Sequence, residues 1–197
     1  MPPSPERQPE PERADVLPSH PDFQLPWIQR LLSAPSVEII RELPPHWTPE
    51  IVSNNMFNLS LAHSTGLRAR LLFRRPCTEE DSQTKTEYVY LLSIGTGLDG
   101  ASGRAHGGFA SLVLDQLLGT AAHFENGQQA PPATAELTVR YLKPVRSPAV
   151  LVARAWVVKV EGRKIFVNGS LEDGEGRGLA SARGLFVRPR DGEGHAL

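Results

Sequence analysis

One apolar stretch, residues 106–124, constrains the fold of this chain more than any other segment. It begins with His106-Gly107-Gly108, and after the glycines almost every position is apolar on whichever helical face it falls. A helix that is apolar all round is enclosed by protein rather than lying on a surface. Asp115 stands in its middle, and an ionised carboxylate there is costly unless partners or water meet it. The stretch therefore predicts a buried central helix in which Asp115 is either a structural oddity or a functional group.

The composition limits the class of protein. The chain has 197 residues, of which 40% are hydrophobic, and its formal net charge is −1. These values are typical of one globular domain with extensions, and they argue against a strongly electrostatic nucleic-acid or membrane binder. Cys77 is the one cysteine, which excludes an internal disulfide and a cysteine-rich metal site. Its position beside a polar loop predicts a surface thiol.

The prolines divide the chain. Eight of the 18 prolines lie within residues 1–26, so we expect a disordered tail over 1–21. A helical extension is predicted over 22–54, and its apolar residues over 22–32 predict a short helix that docks on the domain. The main domain is predicted over 55–188 and a loose C-terminus over 189–197. No apolar run approaches the roughly 20 residues that span a bilayer, and the N-terminus resembles neither a secretory nor a mitochondrial leader. The sequence therefore predicts a cytoplasmic protein.

Alternating apolar and polar residues predict the strands. On the segment Thr134–Leu142 the alternation places Ala135, Leu137, Val139 and Tyr141 on one face. The other predicted strands lie within Leu59–Phe73, Tyr88–Ile94, Val150–Val160, Lys164–Leu171 and Leu179–Val187. Strands grouped after a single apolar helix predict an α+β fold, an antiparallel sheet of five to six strands wrapped around one long central helix.

Several common kinds of site are not supported. Gly95–Gly100 matches the dinucleotide-binding fingerprint, but loop residues separate it from the following helix, which in that motif begins inside the fingerprint. We interpret it as a flexible loop near the site. Neither Gly-x-Ser-x-Gly nor His-Glu-x-x-His occurs, and the six histidines lack ligand spacing. We therefore expect no metal and no cofactor of the protein's own.

The helix start and Asp115 are the remaining candidates for chemistry. Glycines there leave backbone N–H groups able to hold an oxyanion, and Asp115 could activate water or attack directly. The competing interpretation is that the glycines only permit close packing and that Asp115 bonds a neighbouring backbone group. Gly107 and Asp115 are separated by roughly 12 Å along a helix, at about 1.5 Å per residue. If both act on one carbonyl, they must come from two subunits, which makes the active protein a dimer.

Four motifs resemble one family. His106-Gly107-Gly108 with Asp115, then Thr134–Leu137, Tyr141–Pro144 and Val160–Val167, are similar to the hotdog-fold acyl-CoA thioesterases. The resemblance is strongest to the thioesterase superfamily member 4/5 branch of the PaaI-like group, and it covers roughly residues 55–188. The sequence departs from that branch at Leu142, where some relatives carry a polar or basic residue, and in a longer segment between Asp115 and Thr134.

The resemblance implies roles for particular residues. Asp115 corresponds to the catalytic carboxylate, Gly107 to the oxyanion donor between His106 and Gly108, and Thr134 to a threonine that assists water or the carboxylate. The implied coenzyme A contacts are Arg140, Lys143, Arg163 and Lys164. The family also implies a homodimer with a continuous sheet, sometimes a tetramer.

The expected reaction is hydrolysis of an acyl-CoA to free acid and thiol, within fatty acid metabolism. The acyl group would be fatty or aromatic, and a carrier-protein thioester is also open as substrate. Two alternatives stay open at this point: a hotdog hydratase or dehydratase, and an acyl-CoA-binding module without turnover.

Overall fold

The computed structural model of the protein describes residues 19–40, 54–125 and 131–190. Most of the predicted tail over 1–21, residues 41–53 of the predicted extension and residues 191–197 of the predicted loose C-terminus lie outside these ranges. The described part contains the helices α1 (Pro26–Leu32) and α2 (Gly107–Phe124), with short helical turns at Pro21–Phe23, Met56–Ser60 and Thr96–Leu98. The strands are β1 (Glu38–Ile39), β2 (Leu67–Pro76), β3 (Thr86–Ile94), β4 (Asp99–Ala101), β5 (Arg104–Ala105), β6 (Ala133–Tyr141), β7 (Ala149–Glu161), β8 (Lys164–Asp173) and β9 (Gly178–Val187).

The main sheet is antiparallel throughout and has seven strands in the order β1-β2-β3-β7-β8-β9-β6. It has one strand more than the largest number predicted, because the two-residue β1 of the N-terminal extension pairs with the outer edge of β2. The hairpin β4-β5 leads directly into α2. Helix α2 lies on one face of the main sheet, against β3, β6, β7, β8 and β9. This is the predicted hotdog arrangement of one long helix held by a curled antiparallel sheet.

The main core lies between α2 and the sheet. Leu114, Leu117 and Leu118 are fully buried, and each such side chain contributes about 1.5–3 kcal/mol relative to exposure. A side chain at Gly169 would place its Cβ 2.5 Å from Leu118 Cδ1. This glycine therefore lets the helix approach the sheet closely, which fixes where the polar residues of α2 stand.

A second core covers the other face of the sheet. Phe23 and Ile28 are completely buried against outward-facing residues of β2 and β3, among them Leu71 and Phe73. The carboxylate of Asp22 closes one end of this contact by accepting a hydrogen bond from Ser93 at 2.5 Å and pairing with Arg68 at 3.1 Å. The extension is therefore part of the folded domain, and it covers the outer face of β2 and β3.

The loop between β2 and β3 folds over the outer face through a polar network. Arg154 pairs with the buried Glu87 at 2.7 Å and with Glu79 at 2.9 Å, while Trp156 donates to Asp81 at 2.8 Å. Cys77, at the start of this loop, is buried rather than on the surface as predicted, because the loop packs down on the sheet. Burial raises the pKa of its thiol.

Candidate active site

The start of helix α2 is built by the glycine-rich segment before it. His106 is the N-cap residue, and its Nδ1 accepts a hydrogen bond from the backbone N–H of Gly108 at 2.9 Å. The backbone N–H of His106 donates to the carbonyl of Leu98 at 2.8 Å. A Cβ at Gly100 would lie 2.8 Å from the His106 ring. The segment predicted as a flexible loop is therefore a helical turn and a hairpin that together fix the first turn of α2.

Among the described residues, the backbone N–H of Gly107 has no acceptor and is open to a ligand. The N–H of Gly108 is taken by the His106 ring, and the N–H of Phe109 donates to the His106 carbonyl at 3.0 Å. Gly107 holds the first helical position, where an N–H has no intrahelical acceptor and lies at the positive end of the helix dipole. Gly107 is exposed, so this N–H can reach a bound carbonyl oxygen.

A cleft of about 490 Å³ opens beside Gly107. The side chain of Tyr141 forms one wall, and Arg104 and Lys143 supply positive charge. The complete lining is Gly100, Ala101, Arg104, Ala105, His106, Gly107, Ala110, Tyr141, Leu142, Lys143, Pro144 and Val145. No carboxylate lies among these lining residues, so the cleft suits a neutral or anionic group.

Asp115 lies two turns further along α2 and is half-buried, less enclosed than the apolar stretch predicts. It belongs to a stripe of incompletely covered helix residues with Ser111, Leu112, Gln116 and Gly119, which share one side of α2 by helical spacing. The hydroxyl of Thr134 donates a hydrogen bond to Asp115 Oδ1 at 2.9 Å. The carboxylate is thus oriented by a neutral donor while staying accessible.

A β-bulge in β6 makes this contact. Thr134 pairs with Phe186 and Glu136 with Leu185, so Ala135 is an extra residue in the strand. Strict alternation would put Thr134 on the face opposite Leu137 and Tyr141; the bulge turns it to the helix side with them. Ala135 loses the inward position that the alternation predicts.

Strand β6 runs along the open side of α2 in the opposite direction. Tyr141, at one end, contacts Ser111 and Gly107, whereas Thr134, at the other end, contacts Asp115. Within one chain, Gly107 and Asp115 therefore lie at opposite ends of β6, and no single carbonyl can touch both.

The four basic residues assigned to coenzyme A are divided between these two ends. Lys143 lines the cleft near Gly107. Arg140 pairs in register with Ser181, on the face of β6 that is turned away from α2. Lys164 pairs with Val187 of β9, which on its other side pairs with Ala133 of β6, so Lys164 lies at the Thr134 end. Arg163 precedes it and donates to the carbonyl of Arg188 at 2.8 Å.

Two residues that the sequence analysis did not single out belong to the helix start. Ser111 and Tyr141 share a hydrogen bond of 2.5 Å between their hydroxyls. Tyr141 lies inside a motif that carries the family resemblance, and Ser111 follows Gly107 by one helical turn. Their spacing is compatible with contact, but only the register of β6 against β9 brings them together.

Other kinds of site receive no support from residues 19–40, 54–125 and 131–190. No group of three or more histidine, cysteine or acidic side chains in these ranges could hold a metal ion. No helix among them has the length and apolarity required to cross a membrane.

Comparisons with known proteins match the motif-based resemblance. Residues 102–180, which include Gly107, Asp115 and Thr134, match the model of the Thioesterase superfamily. The chain is 33% identical over 101 residues to "Acyl-coenzyme A thioesterase THEM4" of Mus musculus, covering 51% of this chain and 42% of that protein. It is 26% identical over 141 residues to the Bos taurus protein of the same name, covering 71% and 56%. The chain spans about half the length of the curated relatives it matches.

Parts of this chain are also similar to solved bacterial structures, at TM-scores under 0.5. A Bacillus halodurans protein solved with CoA is 26% identical, with a TM-score of 0.47, and the match covers 50% of this chain and 65% of that one. A hypothetical thioesterase from Streptococcus pneumoniae solved with coenzyme A is 21% identical, with a TM-score of 0.48 and coverage of 51% and 79%. Within residues 102–180, the match to the Thioesterase superfamily model agrees with the motif-based resemblance.

Proposed function

Starting from this match to the Thioesterase superfamily model, we propose that the protein hydrolyses acyl-CoA thioesters. The observation that carries the proposal is the pairing of Asp115 with the Thr134 hydroxyl, on the same helix that presents the unclaimed N–H of Gly107. A carboxylate and an oxyanion donor are the two groups that attack on a thioester carbonyl requires. Relatives that match about half of this chain are named acyl-coenzyme A thioesterases.

The proposed active form is a dimer related by a two-fold axis near the middle of β6. In the described part of the chain, β6 pairs on one side only, with β9, and seven of its nine residues are exposed. An edge strand with free backbone groups is a ready partner for a second copy. Antiparallel β6–β6 pairing would also cover the open stripe of α2 that contains Asp115.

Two-fold pairing would bring Asp115 of one subunit close to Gly107 of the other, although the two residues are far apart within one chain. The Thr134 end of β6 would meet the Tyr141 end of the partner strand, because the two strands run in opposite directions. Asp115 would then face the partner's Gly107. The cations at the two ends, Lys143 at one and Arg163 with Lys164 at the other, would converge around the same site, where they can meet the phosphates of coenzyme A.

The proposed reaction needs no metal. The Gly107 N–H of one subunit stabilises the oxyanion as the carbonyl carbon is attacked. Asp115 of the other subunit takes a proton from the attacking water, while the Thr134 hydroxyl donates a hydrogen bond to Asp115 Oδ1 and so orients the carboxylate. The carbon–sulfur bond then breaks, and the coenzyme A thiolate leaves and is protonated. Direct attack by Asp115 through an anhydride is the second route to the same products.

The test is a free-thiol assay with a panel of fatty and aromatic acyl-CoA esters. We expect Asp115→Asn to lower kcat by about 10²–10⁴-fold while the protein stays folded. Unchanged turnover in this variant would remove Asp115 from the mechanism. Water addition to an enoyl-CoA without thiol release would indicate a hydratase, and tight coenzyme A ester binding without turnover would indicate a binding module.

Gly107 offers a sharper variant. Gly107→Pro deletes the proposed oxyanion donor at the first helical position, where proline is well tolerated. The preceding residue, His106, already has the extended backbone that proline requires, with φ −61° and ψ 139°. Gly107→Ala is the matched control, because it adds a Cβ and keeps the N–H. We expect a loss of about 10²–10³-fold in kcat for proline and a much smaller loss for alanine; equal losses would exclude the N–H as the cause.

A further inference from the structure

Tyr141 combines an exposed ring with an inward-turned hydroxyl. Its side chain stands at the end of β6, 56% exposed, and forms a wall of the cleft. Its Oη lies 2.5 Å from Ser111 Oγ and donates to the carbonyl oxygen of Gly107 at 3.3 Å. The ring also lies against Gly107, where an added Cβ would be 3.4 Å from Tyr141 Cε1. An exposed aromatic side chain is thereby fixed to the first turn of α2.

The carbonyl that Tyr141 contacts belongs to a peptide unit held at both ends. The unit that joins Gly107 to Gly108 carries the Gly107 carbonyl and the Gly108 N–H. Tyr141 binds the carbonyl, and His106 Nδ1 accepts from the N–H at 2.9 Å. Rotation of this unit would change the backbone angles at Gly107, and glycine resists such rotation less than any other residue. Two side chains from different elements therefore add to the helix's own hydrogen bonds in holding this unit of two glycines.

We infer that Tyr141 is a positioning residue, which holds the Gly107–Gly108 peptide in place and so anchors Gly107, the residue whose own N–H is the proposed oxyanion donor. The inference deepens the proposed thioesterase function and rests on it for its catalytic consequence. A preorganised donor stabilises an oxyanion more than one that must reorient during the reaction. Ser111 completes the arrangement, because its hydroxyl holds the Tyr141 Oη beside the helix.

The test is Tyr141→Phe, with Tyr88→Phe as the matched control. The Tyr88 hydroxyl donates to Glu125 Oε1 at 3.0 Å, at the opposite end of α2, so each variant loses one hydroxyl that contacts an end of the same helix. We expect Tyr141→Phe to lower kcat by about five- to tenfold with KM unchanged. Tyr88→Phe is expected to keep the wild-type kcat, and Tm is measured for both variants.

A second measurement, NMR of the glycine amides, reports on the Gly107–Gly108 peptide directly. In protein labelled with ¹⁵N-glycine, Tyr141→Phe is expected to shift the Gly107 and Gly108 amide resonances and to speed their hydrogen exchange, and Tyr88→Phe to leave both unchanged. An active wild-type enzyme whose Tyr141→Phe variant keeps full kcat and unaltered Gly107 and Gly108 amides would overturn the inference. A fall in kcat that Tyr88→Phe reproduces through a common loss of Tm would also overturn it.

The two claims fail in different ways. Absence of thiol release from the wild-type protein would contradict the proposed function. The amide measurements would still decide whether Tyr141 orients the peptide: altered Gly107 and Gly108 amides would support the positioning role, and unaltered amides would refute it.

Discussion

The Thr134 hydroxyl is the most specific support for Asp115 at the scale of single residues. Its hydrogen bond of 2.9 Å leaves the other carboxylate oxygen available. We expect Thr134→Val, which removes the hydroxyl and keeps the shape, to lower kcat by about 10- to 100-fold, since a hydrogen bond to a charged group contributes about 1.5–3 kcal/mol. Thr134→Ser keeps the donor and serves as control. Equal kcat in the valine and serine variants, measured by free-thiol release, would show that the bond has no part in turnover.

Cys77 permits a prediction about pH. Burial raises the pKa of its thiol, so at a given pH less of the reactive thiolate is present in the folded protein than in an unfolded chain. We expect the native thiol to react with a disulfide reagent at pH 8 far more slowly than the thiol in denaturant, and the native rate to keep rising as the pH increases above 8. Equal rates in the native and denatured protein would contradict the buried position.

The sequence indicated Asp115, Gly107 and Thr134 as site residues, and the structure brings only the first and third together within one chain. Asp115 could be found because a lone acid interrupts an apolar stretch. The alternation of β6 misplaced Thr134 because a bulge depends on how β6 pairs with β9, which local sequence does not encode. Tyr141 was not assigned a role for the same reason, since its contact with Ser111 depends on strand register.

The N-terminal extension forms a second core with the outer face of the sheet. Helix α1 is short, yet Ile28 is fully buried on the outer face of the sheet. We expect Ile28→Ala to lower the free energy of unfolding by about 2–5 kcal/mol, because it leaves a cavity in the second core. Leu25→Ala is the control, since Leu25 is 43% exposed. Chemical denaturation measures both variants, and similar small changes would indicate that α1 is only loosely docked.

The main elements could be predicted because their periodicity is strong. Helix α2 and the hairpin of β7 and β8 match the expected segments closely. The structure docks α1 on the domain, as the helical spacing predicts, but the face that it covers could not be predicted, because β2 and β3 are buried on both faces only when the extension is in place. The segment from Leu59 was expected to open the first strand, but Met56–Ser60 is a helical turn and β2 begins at Leu67.

For the whole molecule, the proposed dimer is supported by the open side of α2 and by the edge of β6 that pairs with no other described strand. We expect sedimentation to give twice the 21.6 kDa of the chain, or a larger even multiple. The extension covers the outer face of β2 and β3, so any tetramer must form through other surfaces. A monomer that retains full activity would contradict the composite site.

A purified heterodimer tests the central claim most directly, with one subunit carrying Asp115→Asn and the other Gly107→Pro, each with its own affinity tag. Either homodimer is expected to be nearly inactive. If Asp115 acts with the partner's Gly107, the heterodimer contains one intact site and one doubly defective site, and its activity should reach about half that of the wild-type dimer. A heterodimer no more active than the two homodimers would show that both groups act within one chain, or that they do not act together.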